Sequence, residues 1–420
     1  MKVTFRPFTP GGTVAAPPSK SDVHRAIICA ALSKGVCTIA PVALSEDILA
    51  TIRCVEALGA VTRIENKVLT VDGSGMFRSK TAALDCGESG STLRFLIPVA
   101  AAGGVTATFT GSGRLPERPI GIYTDALPKA GVRCETEGGL PLTVSGTLQS
   151  GVFEIPGDVS SQFISGLLFA LPLLPRDSRI VLTTPVQSVG YINMTIRTMA
   201  KFGIEIGVMD NGWYIRGKQR YVPSDYRTDG DWSQAAFFLT AGAVGGDVTV
   251  TGANIDSAQG DRRIAAILRD FGAEVRQDGG TVRVISRPLR AIVIDASQIP
   301  DLVPVLAVCA SFAQGTTRIF NAARLRIKES DRLRTTAALL NSLGGNVKEL
   351  PDGLEITGVP QLAGGSADGC NDHRIVMSAA VCAACSAGEI TCTDAMSVNK
   401  SYPDFYEDYG RIGGQAVREC

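Results

Sequence analysis

The sequence predicts an α/β protein of two domains, each built from three β-α-β-α-β-β repeats, and three observations lead to this prediction. The chain has 420 residues, which is more than a single hydrophobic core usually supports. A helical run that ends at glycine, followed by two strand-like runs around a turn, recurs along its length. Upstream of each recurrence lies an alanine-rich helical run, then a turn and alternating β-branched residues.

The recurring pattern is clearest in five segments that share a glycine at the end of the helical run. They read "VEALGAVTRIENKVLTVDG", "LPKAGVRCETEGGLPLTVSG", "MAKFGIEIGVMDNGWYIRG", "LRDFGAEVRQDGGTVRVIS" and "LNSLGGNVKELPDGLEITG". Their spacings are 72, 72, 69 and 72 residues, between Gly59, Gly131, Gly203, Gly272 and Gly344. Glycine suits this position because it adopts the left-handed conformation that commonly ends a helix. "YEDYGRIGG" predicts a sixth helix end at Gly410, with no strand-like run after it.

The strand missing from the sixth repeat is predicted to come from "KVTFRPF" at the amino end. The chain must then cross between the domains twice. We therefore expect one domain to comprise residues 1–17 and 229–420, and the other to comprise residues 18–228. "APPSK" (16–20) and "VPSDYRTDGD" (222–231) carry the proline and turn residues of such crossings. Two crossing strands would form a natural hinge.

Composition excludes several classes of protein. The chain has 41 basic and 41 acidic residues, and zero net charge argues against a nucleic-acid or membrane-surface partner. The amino end lacks the apolar region of a secretory signal, and "FISGLLFALPLLP" (163–175) is too short to span a bilayer. The eleven cysteines and two histidines show no metal-ligand spacing, and "CAAC" (382–385) lies in an apolar helical run. We expect reduced thiols and a cytoplasmic location.

The first helix of each repeat starts with residues that cap helices. The six starts read "PPSKSDVHR", "CGESGSTLR", "PGDVSSQF", "DGDWSQAAF", "DASQIPDL" and "ADGCNDHR". A helix N-terminus offers unpaired N–H groups and partial positive charge, which suits phosphate or carboxylate. Simple capping is the preferred explanation for "DGDWSQAAF". Four of the other starts also carry cationic or amide side chains, among them Lys20, Arg25, Arg94, Gln162 and Arg374.

One stretch concentrates positive charge in this balanced chain. "RLRIKESDRLR" (324–334) is explained either as the solvated first turn of a helix or as an anion site. "LPERPIG" holds Arg118 between prolines, and "VNKSYPD" presents Lys400 before the final helix. Each cluster alone is better explained as surface charge. Because they recur at equivalent points of a repeat, we expect them to converge on one cleft.

In order along nearly the whole chain, these motifs resemble those of the enolpyruvyl transferases. The matching stretches are "PPSKSDVHRA", "GESGSTLRF", "LPERPIG", "GDVSSQF", "RIKESDRLR", "NDHR" and "NKSYPDF". The resemblance implies two inside-out α/β domains of three β-α-β-α-β-β repeats each, which close on the substrates. It also implies transfer of the enolpyruvyl group of phosphoenolpyruvate to the 5-hydroxyl of shikimate 3-phosphate, with release of phosphate, by a monomer of the shikimate pathway.

The resemblance also implies roles for individual residues. Phosphoenolpyruvate would be bound by Lys20, Gly90, Arg118, Gln162, Arg332, Arg374 and Lys400. Shikimate 3-phosphate would be bound by Lys20, Ser21, Arg25, Ser160, Ser161, Gln162, Ser188, Asp301 and Lys328, with Tyr191 as a further contact. The catalytic residues would be Asp301 and Glu329, which transfer protons, with Lys20.

The chemistry needs residues of these types. The two substrates together carry about −5 to −6 charge near neutral pH, so several fixed cations must hold them side by side. Seven of the proposed residues are lysine or arginine, so we expect neither a metal nor a cofactor. Asp301 could equally be an ordinary helix cap. Glu329 lies beside Lys328 and Arg332, which favours a base in the empty site, and bound phosphates would reverse the local charge and favour an acid.

Three alternatives stay open from the sequence. A sister activity transfers enolpyruvyl to UDP-N-acetylglucosamine with a loop cysteine, but the loop "GSGRLPERP" has none. An idle anion-binding scaffold would gain nothing from carboxylates among its cations. A cyclase of RNA 3′-phosphate ends should be more basic than this chain. Two departures from the family pattern, Glu88 beside Gly90 and "AARLR" before "IKESDR", put substrate affinity in question.

Overall fold

The chain crosses between two compact units, after Pro17 and again after Thr228, in a computed structural model that describes residues 1–419. The continuous unit is Pro18–Thr228. The discontinuous unit contains Met1–Pro17 and the chain from Asp229 onward.

Residues 1–419 form twelve α-helices and twenty-four strands. The helices are α1 (Lys20–Leu32), α2 (Glu46–Ala57), α3 (Gly90–Ala102), α4 (Gly121–Ala126), α5 (Ser161–Ala170), α6 (Val189–Lys201), α7 (Trp232–Gly245), α8 (Ile264–Phe271), α9 (Val303–Ser311), α10 (Arg332–Ser342), α11 (His373–Cys382) and α12 (Phe405–Arg411). The strands are β1 (Lys2–Phe5), β2 (Gly11–Ala15), β3 (Val36–Ala40), β4 (Val61–Glu65), β5 (Val68–Asp72), β6 (Thr81–Asp85), β7 (Thr106–Thr110), β8 (Val132–Glu135), β9 (Leu142–Gly146), β10 (Val152–Ile155), β11 (Ser178–Leu182), β12 (Ile206–Met209), β13 (Gly212–Ile215), β14 (Tyr226–Arg227), β15 (Asp247–Thr251), β16 (Glu274–Asp278), β17 (Thr281–Ile285), β18 (Val293–Asp295), β19 (Thr316–Phe320), β20 (Asn346–Leu350), β21 (Gly353–Thr357), β22 (Gly365–Ala367), β23 (Ile390–Cys392) and β24 (Ala416–Glu419).

The strands form six four-stranded sheets of one topology. The continuous unit has the orders β14-β3-β5-β4, β6-β7-β9-β8 and β10-β11-β13-β12. The discontinuous unit has β2-β15-β17-β16, β18-β19-β21-β20 and β22-β23-β1-β24. In each sheet the first two strands are parallel to each other, and the other neighbouring strands are antiparallel. In four sheets a helix connects the first two strands, and in the other two sheets the first strand comes from a segment that crosses between the units. The six predicted β-α-β-α-β-β repeats are therefore confirmed.

Each crossing segment supplies the first strand of a repeat. β2, which leads toward α1 in the chain, pairs with β15 in the discontinuous unit. β14, which leads toward α7, pairs with β3 in the continuous unit. The repeat that contains α1 therefore takes its first strand, β14, from the segment that precedes α7 in the chain. The repeat that contains α7 takes its first strand, β2, from the segment that precedes α1.

The last repeat differs from the prediction in one strand. β1 does complete the sixth sheet, where it pairs with β23, but it also pairs with β24 at residues 416–419. The prediction that no strand follows Gly410 is wrong. The short run "AVRE" is ordered by pairing with β1 at the other end of the chain, and a local pattern cannot show such a partner.

The helix-ending glycines are confirmed at five positions and corrected at the sixth. The five predicted glycines have φ between +78° and +113°, in the left-handed region. Gly410, however, lies inside α12, which continues to Arg411. The left-handed residue is Gly413, at φ +91°, because the helix extends beyond the first glycine of "GRIGG" before it ends.

The first helix of each repeat is buried on nearly all sides, and the sheets lie outside these helices. In α7 the twelve residues from Trp232 to Ala243 are all buried, and α3, α9 and α11 are similarly enclosed. Strands such as β15 alternate between buried and partly exposed residues, as expected of sheets with one face on a core. This is the expected inside-out arrangement. No helix in the described part of the chain is long and apolar enough to cross a membrane.

Candidate active site

In the continuous unit, the predicted substrate-binding residues lie at the starts of four helices. Lys20 is the first residue of α1, and its Nζ lies 2.5 Å from Oδ2 of Asp47 on α2. Both side chains are mostly buried, with 17% and 12% exposed. An ion pair in such surroundings fixes the position of the ammonium group more than a surface pair would. Asp47 therefore holds Lys20 at the helix start.

Arg25 joins α1 to α6 and α3. Its Nε donates to Oγ1 of Thr195 at 2.8 Å, and its Nη2 donates to the carbonyl of Tyr191 at 3.0 Å. The guanidinium also lies 5.1 Å from the ring centre of Phe95, a cation–π distance. Burial lowers the pKa of Arg25 to about 10, although Asp22 acts in the opposite direction. Arg25 thus remains a buried cation at neutral pH.

A second set of contacts joins α3 to α5. Nη1 of Arg94 donates to Oε1 of Gln162 at 2.6 Å, and Nε2 of Gln162 donates to Oγ of Ser91 at 2.9 Å. The guanidinium of Arg118 lies over Gly90, the first residue of α3. Two arginines and one amide are therefore gathered around the N-terminus of a helix, where backbone N–H groups also suit an anion.

Substitution of Gly90 by alanine is expected to disturb both arginines. A Cβ there would lie 2.8 Å from Nη1 of Arg118 and 2.9 Å from Nη1 of Arg94, so both side chains would have to move. The resemblance implies that Gly90 binds phosphoenolpyruvate, and on that basis G90A should raise KM for phosphoenolpyruvate by about 10- to 100-fold. Steady-state kinetics with each substrate varied in turn measures this.

The control is Gly121→Ala, because Gly121 also begins a helix but a Cβ there meets nothing within 4 Å. G121A should leave both KM values unchanged. A G90A protein with an unaltered KM for phosphoenolpyruvate would contradict the proposed role of Gly90.

The serines of this unit occupy helix starts, as expected from the sequence. Ser160 is the N-cap of α5 and accepts a hydrogen bond from the N–H of Gln162, while Ser161 begins the helix. Ser188 precedes α6 with φ +55°, and its side chain is buried. A non-glycine residue in this conformation is uncommon and often marks a functional position. Tyr191 lies in the first turn of α6.

Two of the remaining residues of this unit have clear surroundings. Ser21 lies in the first turn of α1, where its carbonyl accepts from Nη1 of Arg25 at 2.6 Å. The carboxylate of Glu88 lies directly against Gly113, in the loop that leads to Arg118. The negative charge of Glu88, which departs from the family pattern, therefore lies against the loop that leads to Arg118.

In the discontinuous unit, the predicted residues gather around Arg332. Its side chain is 1% exposed and binds three carboxylates: Asp372 through Nε (2.8 Å) and Nη2 (3.1 Å), Glu329 through Nη2 (2.7 Å) and Asp301 through Nη1 (3.0 Å). These carboxylates raise the pKa of Arg332 above its usual value, against the opposing effect of burial. Arg332 is a permanent, fully buried cation.

Asp301 is held ionised by the same group of cations. Besides Arg332, Oδ2 of Asp301 lies 3.3 Å from Nη2 of Arg374. Burial alone would raise the pKa of Asp301, but Arg374, Lys328 and Arg332 outweigh it and hold that pKa well below its usual range. Asp301 lies in the turn Pro300–Leu302 and the N-cap position of α9 is Leu302, so the alternative of an ordinary helix cap is not supported.

Arg374 is anchored to the start of α7. Its Nη2 donates to Oγ of Ser233 at 3.0 Å, and its Nη1 donates to the carbonyl of Asp301 at 3.0 Å. Its Nε is buried and has no hydrogen-bond acceptor among the described residues. Asp231 caps α7 by accepting from Ser233 and Gln234, so the capping explanation preferred for "DGDWSQAAF" agrees with the structure.

The charge run "RLRIKESDRLR" divides into structural and candidate functional residues. Arg324 donates to the carbonyl of Ser297, and Arg326 binds Asp331 and Glu349, so these arginines serve the fold. Lys328 and Arg332 instead lie with Asp301. Burial lowers the pKa of Lys328 to about 8, while Asp301 and Glu329 oppose this shift. The stretch is therefore more than the solvated first turn of a helix, and its use as an anion site stays a prediction.

The charges of this second cluster nearly balance. Lys400 belongs to it, since its Nζ donates to the carbonyl of Asn371, next to Asp372. The cations Lys328, Arg332, Arg374 and Lys400 face the carboxylates of Asp301, Glu329 and Asp372, four against three. The carboxylates hold the cations in place through ion pairs and hydrogen bonds, but they do not neutralise the positive charge of the cluster completely. Within residues 1–419, no three His, Cys, Asp or Glu side chains come together as a metal site.

Comparison with known proteins identifies the family. The family model described as EPSP synthase (3-phosphoshikimate 1-carboxyvinyltransferase) matches residues 10–409. The chain belongs to the EPSP synthase family. It is similar to the 3-phosphoshikimate 1-carboxyvinyltransferase of Clostridium kluyveri, with 46% identity across 98% of this chain and 97% of the relative. The corresponding protein of Clostridioides difficile is 40% identical over 96% of this chain and 95% of its own.

Solved structures agree with this membership of the EPSP synthase family. The EPSP synthase of Acinetobacter baumannii superposes with a TM-score of 0.82 and 26% identity, covering 99% of this chain and all of that one. An enolpyruvyl transferase of Streptomyces tendae superposes with a TM-score of 0.81, but at 17% identity it shows the fold alone. The two-domain enolpyruvyl transferase fold predicted from the sequence is therefore confirmed.

Several residues that organise the two clusters of this family member were missed from the sequence. Asp47, Asp372 and Ser233 were not assigned roles, and Arg94 was named only as a cation at a helix start, although each directly contacts a predicted site residue. Arg94 could have been assigned to the same site as Gly90, because it lies one helical turn after Gly90 on the same face. Asp47 could not, because only the packing of α2 on α1 brings it to Lys20.

Proposed function

We propose that this protein transfers the enolpyruvyl group of phosphoenolpyruvate to the 5-hydroxyl of shikimate 3-phosphate and releases phosphate, as a shikimate-pathway enzyme. The observation that carries the proposal is buried Arg332, bound at once by Asp301 and Glu329. Two carboxylates held among cations suit a reaction that moves protons on highly anionic substrates. The names of the relatives point to the same activity.

The reaction needs proton transfer in both of its steps. In the addition, the 5-hydroxyl oxygen bonds to the central carbon of phosphoenolpyruvate and loses its proton, while the methylene carbon gains one. In the elimination, the new methyl group loses a proton as the bond to the phosphate oxygen breaks. We assign the first deprotonation to Asp301, which is already ionised. Glu329, protonated when the substrate phosphates lie beside it, donates its proton to the methylene carbon in the addition and takes a proton back from the methyl group in the elimination, with cations to stabilise the charge that develops.

The remaining roles follow from charge and geometry. We propose that Gly90, Arg118, Gln162, Arg332, Arg374 and Lys400, together with Lys20, bind phosphoenolpyruvate. We propose that Ser21, Arg25, Ser160, Ser161, Ser188, Tyr191 and Lys328, with Lys20, Gln162 and Asp301, bind shikimate 3-phosphate. The unpaired buried Nε of Arg374 supports an anionic ligand there, because such a donor is costly unless something binds it.

Lys328 should make phosphate binding depend on pH. Because its pKa is about 8, the empty site loses this cation as pH rises through that value. We expect the affinity for shikimate 3-phosphate to fall between pH 7.5 and 9.5, by up to about tenfold per pH unit, since the ligand phosphate is already a dianion there. Titration calorimetry across this range measures the effect.

The variant Lys328→Met tests the source of the pH dependence. Affinity should fall by about 10- to 100-fold near neutral pH and lose its dependence on pH above 7.5. Because the pKa of Lys328 in the folded protein is lower than the unfolded value of about 10.4, its charge destabilises the fold below pH 8, and this destabilisation disappears as pH rises toward 10.4. K328M should therefore be more stable than wild type at neutral pH. Lys348→Met, at an exposed position in the same unit, is the control. An unchanged pH profile in K328M would contradict the assignment.

The direct test of the proposed function is a phosphate-release assay. Purified protein is mixed with phosphoenolpyruvate and shikimate 3-phosphate in the presence of a chelator, and both phosphate and the enolpyruvyl product are measured. Replacing shikimate 3-phosphate by UDP-N-acetylglucosamine tests the sister activity. Release with the second acceptor alone, or with neither, would overturn the proposal.

We also propose a reducing, cytoplasmic environment. The ten cysteines that the structure describes are all free thiols. Seven of these ten cysteines are buried, and burial raises the pKa of thiols such as those of Cys309 and Cys382, so the buried cysteines behave as small apolar side chains.

A further inference from the structure

Four buried polar side chains form one hydrogen-bonded chain across three helices of the continuous unit. Nδ1 of His24 on α1 lies 2.7 Å from Oγ1 of Thr51 on α2. Oγ1 of Thr51 lies 2.6 Å from Oγ1 of Thr92 on α3, which donates to Oγ of Ser89 at 2.7 Å. All four residues have 0% exposure. We call this set the His24 relay.

The direction of the hydrogen bonds fixes the form of the imidazole. Thr92 has one hydroxyl proton, which it donates to Ser89, so the bond between Thr51 and Thr92 must be donated by Thr51. Thr51 then has no proton left for His24, so Nδ1 of His24 must be the donor. Nδ1 of His24 therefore carries a proton. Burial, together with Lys20 and Arg25, lowers the pKa of His24 well below its usual value, so the ring is neutral and this is its one proton.

The relay connects two parts of the candidate active site. At one end, His24 lies one helical turn after Lys20, and Thr51 lies one turn after Asp47, so two parallel contacts join α1 to α2. At the other end, Ser89 is the N-cap of α3 and accepts from the N–H of Thr92 at 3.2 Å. Gly90 follows directly in the chain.

Packing alone is a poor explanation for this arrangement. Apolar side chains of the same shape would fill the space at no cost in desolvation, whereas each buried polar group must be paired. Nε2 of His24 is buried and has no hydrogen-bond partner within residues 1–419, which adds to the cost. A chain of directed hydrogen bonds does, however, fix geometry more sharply than apolar contacts.

We propose that His24 is a positioning residue that sets the first turn of α3, and with it the backbone at Gly90, relative to Lys20. The inference rests on the proposed function, because it concerns the placement of groups assigned to phosphoenolpyruvate. His24 contacts no substrate in this scheme and acts through Thr51, Thr92 and Ser89.

The test compares His24→Leu with His24→Asn, since asparagine can place an N–H near the position of Nδ1. H24L should raise KM for phosphoenolpyruvate about tenfold, change KM for shikimate 3-phosphate less than twofold, and H24N should restore most of the loss. Thr51→Val should reproduce H24L, and the double variant should be no worse than either single one. Ile27→Val, fully buried on the same helix, is the control for destabilisation alone and should leave both KM values unchanged.

A second measurement does not depend on enzymatic activity. The ¹⁵N NMR signals of the His24 ring should show a protonated Nδ1 and an unprotonated Nε2, and H24L should shift the amide signals of Ser89 and Gly90. A protonated Nε2, unmoved amide signals, or an equal rise of both KM values in H24L would overturn the positioning role. If wild-type protein releases no phosphate, the proposed function fails, and the NMR result still decides whether the relay fixes α3.

Discussion

Asp301→Asn is expected to lower kcat by about 10²- to 10⁴-fold while the protein remains folded, because the change removes the proton acceptor and keeps the shape. Asp301 lies 3.0 Å from Arg332 and 3.3 Å from Arg374, and its pKa is held well below the usual range. An asparagine cannot accept the proton of the substrate hydroxyl. KM should change much less than kcat, which pre-steady-state and steady-state kinetics measure.

The same substitution should change how stability depends on pH. A carboxyl group with a lowered pKa stabilises the fold above its unfolded pKa of about 3.9, and this stabilisation is lost as pH falls through the folded pKa. D301N should therefore be less stable than wild type at pH 7, with a smaller difference in strong acid. The control is Asp278→Asn, at an exposed hairpin position of the same unit. A D301N protein with more than a tenth of the wild-type kcat would contradict the proposed role as base.

The fold was predictable from the sequence because its signals are local and repeated. Each glycine that ends a helix and each alanine-rich run reports on its own neighbourhood, and six copies make the pattern unmistakable. The two errors, Gly410 and the strand at residues 416–419, both fall in the last repeat. There the pattern is truncated, and the missing information comes from β1, nearly the whole chain away.

The site was predictable to the extent that function depends on residue type. Lysines, arginines and serines at helix starts were named from motifs, and the structure places them at the starts of helices in the continuous unit and around Arg332 in the discontinuous unit. The residues that hold them were not found. Asp372 binds Arg332 with both oxygens, yet in the sequence it reads as a helix cap, which it also is. The sequence indicates the contact of Asp372 with its own helix, but it does not indicate the contact with Arg332, which is distant in the chain.

Loss of Arg332 should be the most damaging single change in the discontinuous unit. Arg332→Met leaves Asp372, which is 0% exposed, as a buried charge without its main partner, and should destabilise the protein by about 3–5 kcal/mol. Activity should fall more than about 10³-fold, because the variant also loses a proposed contact to phosphoenolpyruvate and the partner of both carboxylates. Urea unfolding followed by circular dichroism, and phosphate release, measure the two effects.

The double variant Arg332→Met with Asp372→Asn separates folding from catalysis. Asparagine can still accept from the N–H of Arg374 with its amide oxygen, and its amide nitrogen can donate to Oγ of Ser330, while the side chain carries no charge. Stability should therefore recover by 1 kcal/mol or more, on the order expected for relief of an unpaired buried charge, while activity stays lost. Arg318→Met, on an exposed face of β19, should change stability by less than about 0.5 kcal/mol. Two results would contradict a central role for Arg332 in this cluster. One is that R332M is as stable as R318M, and the other is that adding D372N to R332M restores turnover.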